Sequence, residues 1–406
     1  MRTVFLLLLA CAAAACGADS PARDSLVAVV DTVNGVERLS YPADAATPLA
    51  WHFDTLAVIG GAMVDDENYQ FQTGAMGLAG NADGDLFLSD TQGKRVLRYD
   101  STGTFVRSYG REGAGPGELR FPMAVRLGPG DSIWVTDTGN RRITIYDAAD
   151  GGSRTLGPAN AQNPSPTQIA LAGGHLYQLG AIAFSGSGRG ADEPPPTPLL
   201  RSTLDGTPLD TLWLGSPQRW NTVTLRSGTS MTMIMIPETF APQFRWAVLS
   251  DGRVVVSDSV NYVLHIVAPD GTLERTIRRD PPARATTDAD REAAREEERT
   301  RAANASGLTG SDEFLRQRLE SMTFADVIPR ITNLAVDPQD RIWVGVSVDT
   351  PEKTERIDVY DASGRLIGEI RDPAFFPRLL YGPGLAARLT TDELDVDQVV
   401  VMRVVE

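Results

Sequence analysis

Asp90, Asp137 and Asp258 each close a short apolar run, and Arg95 and Arg142 follow the first two at a spacing of five residues. Carboxylates gathered round one axis can hold a cation. The same aspartates repeated at turn positions would instead tie backbone N–H groups, with arginine as ionic partner. Their recurrence as punctuation favours the structural tie. The chain has three histidines, His52, His175 and His265. A catalytic zinc needs about three converging protein ligands, and nothing in this spacing demands that convergence. Met231, Met233 and Met235 alternate, which places them on one face of a strand. Thioethers can bind copper, but a packed strand is the expected role. The chain has no Gly-x-Ser-x-Gly elbow, P-loop or Cys/His pair. No metal, no cofactor and no catalytic residue is therefore assigned.

The elements that position these residues repeat. The run Asp85-Leu-Phe-Leu-Ser-Asp90 returns 47 residues later as Ser132-Ile-Trp-Val-Thr-Asp137, and each is followed by a turn and a second alternating run ending in tyrosine. A period of about 40–50 residues points to a propeller or solenoid. Further copies occur at Arg253-Val-Val-Val-Ser-Asp258 and Arg341-Ile-Trp-Val-Gly345. A third, eroded copy at His175-Leu-Tyr-Gln-Leu-Gly180 has lost the aspartate. Five blades follow, with the longer gaps filled by insertions. The end of the chain, Leu385 to Val405, supplies roughly two strands where a blade needs four. Trp51–Ile59, with Val36–Tyr41 as a further candidate, makes up the difference. The expected fold is an all-β, six-bladed β-propeller of four-stranded antiparallel blades, its last blade closed by N- and C-terminal strands, spanning 51–406.

Two insertions break the ruler. Ser185 to Pro198 is rich in Gly, Ser and Pro. Residues 285–323 switch to helical patterning. Thr287-Asp-Ala-Asp290 resembles a capping box, and Glu292/Arg295 and Glu297/Arg301 are favourable pairs on a solvated helix. Ser311 caps a second helix whose Leu315, Leu319 and Met322 form one apolar stripe, expected to pack on the propeller rim.

Residues 1–16 read as a signal peptide: Arg2, an apolar stretch from Val4 to Leu9, then small residues. The apolar run is too short to span a bilayer. Ala13-Ala-Ala-Cys16 followed by Gly17 resembles a bacterial lipobox. Leu8-Leu-Ala-Cys11 also fits but leaves a very short apolar stretch, so Cys16 is the preferred lipidation site. Ordinary secretory cleavage with an unused thiol is the plainer alternative. Residues 17–50 form a tether and N-terminal strands, including a hairpin at Asn34-Gly35. Cys11 and Cys16 are the only cysteines, so the body has no disulfide. A net charge of −15 over 406 residues argues against a nucleic-acid partner.

Asp137-Thr-Gly-Asn-Arg-Arg142-Ile-Thr-Ile-Tyr146 resembles the NHL-repeat signature, and the Gly-rich segment from Gly110 to Leu119 before Phe121-Pro122 resembles the link between NHL blades. With its lipobox, the chain looks like the six-bladed propeller lipoproteins of bacteria. The resemblance implies a monomeric protein of the cell envelope, anchored to the membrane through its N-terminal lipid, that binds a protein or small ligand on one propeller face. Lys94, Asn140, Arg141, Asn261 and Tyr262, in the loops after the inner strands, are the candidate binding face. Some relatives of such propellers are lyases or lactonases, so a metal-dependent enzyme with its site at the channel mouth is the alternative.

Overall fold

The apolar runs form the second strands of six radial sheets in a computed structural model, which describes residues 28–43, 45, 47–71, 73–157, 168–180, 196–217, 220–227, 230–280, 282–303, 312–347, 356–371 and 373–406. Second strands are sandwiched between neighbouring blades, so both faces are covered. That is why Leu86–Asp90, Ile133–Asp137 and Ile342–Val346 are buried at every position. Outer strands have one wet face and alternate, as in Phe105–Tyr109.

Each blade is a four-stranded antiparallel meander. Blade one comprises Thr73–Gly80, Leu86–Asp90, Arg95–Tyr99 and Phe105–Tyr109. Blade two comprises Pro122–Leu127, Ile133–Asp137, Arg142–Tyr146 and Ser153–Leu156. Blade three, the eroded copy, still pairs Ile169–Ala172, His175–Leu179, Thr197–Thr203 and Pro208–Gly215. Blade four is Arg245–Val248, Val254–Ser257, Val263–Val267 and Leu273–Arg279, and blade five is Ile331–Val336, Ile342–Val346, Arg356–Tyr360 and Leu366–Arg371. Large side chains fill the seams between blades. Trp134, Trp343, Tyr99, Tyr177, Tyr360 and Phe87 are all fully buried, each contributing roughly 1.5–3 kcal/mol of apolar burial.

Blade six differs in detail from the sequence expectation. The C-terminal segment supplies three strands, Leu379–Tyr381, Leu385–Thr391 and Asp397–Val405, and His52–Gly60 alone supplies the fourth, antiparallel to the last. The three-residue strand, set between Pro377 and Gly382, is too short to show a period. Val36–Tyr41 is therefore not needed there. It adds parallel to the outer strand of blade four, Glu37 opposite Arg275 and Tyr41 opposite Arg279. Its Leu39 and Tyr41 enter the core between blades four and five. The hairpin partner Val29–Val33 forms the outermost edge, with Asn34 and Gly35 both at positive φ in the turn.

Between blades three and four, Trp220–Ser227 and Ser230–Pro237 form a hairpin outside any blade. It carries Met231, Met233 and Met235, whose side chains lie outside the described residues. Between blades four and five stand helices α1 (Asp288–Ala303) and α2 (Asp312–Glu320). The capping box is formed: the Thr287 N–H donates to Asp290 Oδ2 (2.8 Å) and the Asp290 N–H donates to Thr287 Oγ1 (3.3 Å). Ser311 lies outside the described residues. Phe314, next to the expected stripe, is the buried residue of α2, while Leu315 and Leu319 are half-buried. Met322 packs with Phe240, Ala294 and Ile328 in a small core of its own. The insertion is stitched to the chain entering blade four by the Thr239 N–H donating to the Thr323 carbonyl and the Ala325 N–H to that of Thr239, both 2.8 Å. Among the described residues no helix is long and apolar enough to cross a membrane.

Candidate functional site

The repeated aspartates work as turn ties. Asp90 accepts from the Gly93 N–H and from Arg95 Nε, both at 2.9 Å. Asp137 accepts from the N–H groups of Arg120 (3.2 Å), Phe121 (2.8 Å) and Asn140 (3.3 Å), and from Asn140 Nδ2 (2.6 Å). One carboxylate thus joins the end of a second strand to the start of the inner strand beside it. Asp258 instead accepts from Trp213 Nε1 (3.0 Å) of blade three. Arg142 turns away from Asp137 and donates to the carbonyls of Ala114, Gly115 and Glu118.

The five loop residues have distinct roles. Lys94 and Arg141 occupy the same left-handed turn position, φ 55° and 52°. Lys94 Nζ donates to the Thr91 carbonyl (2.7 Å) and lies 5.6 Å from the Phe121 ring centre, while Arg141 is exposed. Asn140 is held by Asp137 and by the Gly113 carbonyl. Asn261 accepts from the Ala283 N–H (3.0 Å) on the way to the helical insertion. Tyr262 is buried, its hydroxyl 2.8 Å from that of Tyr360. These residues shape one rim of the propeller, and Tyr262 stands inside its wall.

The histidines stay apart. His265 stacks on Trp213, ring centres 5.0 Å apart, with Nδ1 3.2 Å from Thr276 Oγ1, and burial lowers its pKa. His175 sits edge-on to Tyr177, and His52 is exposed on the outermost strand of blade six. Among the described residues, no three His, Cys, Asp or Glu side chains gather as a metal site would require.

The feature with most chemical content is the central channel. All six innermost strands line one cavity of about 330 Å³: Leu78, Arg126, Ile169, Trp246, Leu334 and Leu379 come one from each blade. Three of its lining residues are arginines, Arg126, Arg245 and Arg378, and its described lining contains no Asp or Glu. Strand register fixes their heights. Arg126 pairs with Trp134, the second residue of its neighbouring strand. Arg245 pairs with Ser257, the fourth in blade four, and Asn333 with Gly345, the fourth in blade five. Arg378, one residue before the Leu379–Ala387 pair, donates its N–H to the Ala387 carbonyl (2.9 Å). Arg245, Asn333 and Arg378 form one tier. Arg126 lies two residues further along, roughly 7 Å at about 3.3 Å per strand residue.

The electrostatics of this channel are unlike those elsewhere in the protein. Burial lowers the pKa of Arg126 to about 10, with repulsion from Arg378 as the second cause. Burial and then the Arg378 charge lower Arg245, and burial lowers Arg378. By contrast, Arg98, Arg279 and Arg341 are raised, because neighbouring carboxylates outweigh the same burial. Arg126 Nη1 donates only to carbonyls, those of Leu78 (3.2 Å) and Val125 (2.7 Å). Arg245 Nε is buried with no hydrogen-bond partner among the described residues. Phe244, Trp246 and Phe376 supply aromatic wall.

A second cavity, of about 280 Å³, lies between the inner-strand starts and the helical pair, lined by Arg245, Ile331 and Thr332 on one side and Glu297, Glu298, Arg301 and Arg318 on the other. Arg245 belongs to both cavities. The channel arginines carry no motif. The one sequence signal is a lone arginine inside an apolar run: Val125-Arg126-Leu127, Phe244-Arg245-Trp246 and Pro377-Arg378-Leu379.

No family model matches the chain. It is 30% identical over 71 residues to human NHL repeat-containing protein 3, which covers 17% of this chain; the chain spans about a fifth of the length of that curated relative. Among solved structures it is similar to a Bacteroides fragilis protein named as exported (TM-score 0.46, 12% identity, 91% of this chain and 100% of the other). It is also similar to a gluconolactonase from Xanthomonas campestris (0.41, 17%, 90% and 99%) and to an aldose sugar dehydrogenase from Streptomyces coelicolor (0.42, 14%, 88% and 100%). The six-blade assignment rests on the strand pairing, and with the repeat match it describes an NHL-like six-bladed propeller.

Proposed function

We propose that the protein is an extracytoplasmic binding module, held to a bacterial membrane by acyl chains on Cys16, whose ligand site is the central channel. The observation that carries this reading is the channel itself: a cavity of about 330 Å³ to which every blade contributes, lined by three arginines, Gln168 and Asn333 among aromatic and aliphatic side chains. Ligand pockets are concave and largely preformed, with a small number of placed polar groups. A single acyl chain holds a membrane marginally, and more than one holds it firmly.

Two experiments test the two halves. Ala335 lines the channel, so Ala335→Trp should plug it. Native mass spectrometry of the protein recovered from its own envelope should show a bound small molecule on the wild type and none on the plugged variant. Equal occupancy of both would end the channel reading. Cys16→Ala should move the protein from the membrane to the soluble fraction, and retention in the membrane would end the anchoring reading.

A further inference from the structure

We infer that the loop corner between blades one and two rests on an anionic lipid surface, with Phe121 entering it and Lys94, Arg120 and Arg141 meeting its head groups. This rests on the anchoring at Cys16 and not on the channel.

The patch is one built corner. The Phe121 N–H donates to Asp137 (2.8 Å) and the Phe121 carbonyl accepts from the Thr138 N–H (3.1 Å), so its backbone is fixed on the Asp137 turn. Its ring nevertheless stays 45% exposed. Lys94 Nζ lies 5.6 Å from the ring centre. A Cβ on Gly139 would come within 2.8 Å of that of Arg120, which places Arg120 against the turn that carries Arg141. Arg120 and Arg141 are both exposed. Lys94 and Arg141 hold left-handed backbone positions, φ 55° and 52°, that glycine or asparagine takes at less cost. An outward aromatic ring among cations suits the boundary of a bilayer: the ring enters beside the acyl chains while the cations meet phosphate.

The chain leaves for its anchor on the same face. In a four-strand meander the second and the outer strand end on one side. Tyr41 stands opposite Arg279, the last residue of the outer strand of blade four, and Val29 stands opposite Ser40. Val29 is therefore on the side where Asp90 and Asp137 close their strands. From Cys16 to Val29 the chain can span at most roughly 45 Å, at about 3.3–3.6 Å per residue. The opposite face lies a strand length further off, roughly 17 Å for five residues.

Charge also separates the two faces. Turns of the opposite face expose Asp131, Asp147, Asp150, Asp205, Asp251 and Asp270, and an anionic bilayer repels them. On the near face, Asp65, Asp66, Glu67, Glu393 and Asp395 flank the patch toward blade six. Within the loop, Arg111 pairs with Glu118, and Glu112 offsets one cation. The helical pair rises from the same face between blades four and five. The contact is therefore an edge, at blades one and two, and not the whole face.

The experiment reconstitutes the lipidated full-length protein in vesicles of phosphatidylcholine, with or without phosphatidylglycerol. The body has no cysteine, so Gln92→Cys beside the patch and Ala149→Cys on the opposite face of blade two each take a single fluorophore. A nitroxide-bearing lipid should quench the label at 92 and spare that at 149, and the contrast should shrink without phosphatidylglycerol or in high salt. Arg141→Gln should lower the quenched-to-unquenched ratio at 92 about fivefold, the effect expected of one cation at an anionic surface. Phe121→Ser should lower it as well, with thermal midpoints confirming that both variants are folded. Flotation with the vesicles reports the anchor separately. Equal quenching of the two labels in protein that floats overturns the lipid contact and leaves the anchoring standing. Protein that fails to float overturns the anchoring and this contact with it. A label at 92 that is unquenched in vesicles but shielded from a water-soluble thiol reagent in whole envelopes assigns the patch to a protein partner and overturns the lipid surface.

Discussion

The charge that acts most strongly on Arg245 is that of Arg378, on the same channel tier two blades away, and it has the same sign. An arginine whose folded pKa is lowered disfavours the fold while both states are protonated. The penalty is relieved only as pH rises through the folded value, which for Arg126 is about 10. At neutral pH the whole penalty is present. Arg245→Gln should therefore raise the thermal midpoint, on the order of 2–4 °C. Calorimetry of the two proteins checks this, and a midpoint that falls would show that Arg245 stabilises the fold.

The Asp137 carboxylate should matter to folding and not to binding. It receives four N–H donors from both ends of a blade corner. Asp137→Ala leaves those donors unpaired and should cost about 2–3 kcal/mol in denaturant unfolding, with channel affinity unchanged per folded molecule. A loss of affinity in the folded fraction would return the aspartates to the functional site.

The seam between blades four and five holds a buried ion network. Arg279, fully buried, lies against Asp358 and Glu369, and Arg356 and Arg371 complete the ring. Removing one partner strands the others. Arg279→Met should cost about 3–5 kcal/mol, and adding Asp358→Leu should recover part of it. A double-mutant cycle in urea measures the coupling.

The same network sets an acid limit. Burial pushes Glu369 up, but hydrogen bonds from Arg279 and Arg371 outweigh it and hold its carboxyl below the ordinary 4.5. Its contribution is therefore fully present above pH 4.5 and is lost as pH falls through the lower folded value. Glu369→Gln should flatten the stability profile below pH 4.5. An unchanged slope would assign acid sensitivity to other carboxylates.

Two glycines separate steric from conformational demand. A Cβ on Gly80 would sit 2.0 Å from the Tyr381 ring at the junction of blades one and six, whereas one on Gly35 meets nothing within 4 Å but must adopt φ +83°. Gly80→Ala should cost about 1–3 kcal/mol through overpacking and Gly35→Ala about 1 kcal/mol through backbone strain. Unfolding of the two variants side by side tests the order.

Much of this architecture was legible in sequence because blades repeat a strand–turn–strand pattern whose period survives substitution. Asn34-Gly35, the Thr287–Asp290 cap and the Trp51–Ile59 strand each carry a local rule that no distant contact overrides. Val36–Tyr41 was legible as a strand but not by partner, since its alternation fits any apolar edge and the seam beside Ile277 and Leu366 exists only in three dimensions. The channel arginines were missed for a similar reason. Arg126, Arg245 and Arg378 come from segments more than 100 residues apart in sequence. Their convergence is a property of the ring, and only the apolar neighbours of each hinted at it.

Ring closure also sets an order of events in time. The ladder between His52–Gly60 and Asp397–Val405 joins segments 338 residues apart at the Gly60–Gln398 hydrogen bond. Contacts of such separation form late, because the loop entropy must be overcome before they reward it. Until the last strand has been synthesised, His52–Gly60 has no partner and blade one has no neighbour on its open side. The protein is thus obliged to remain an open arc throughout synthesis. It becomes a ring, with a channel to occupy, only once both partner strands are present.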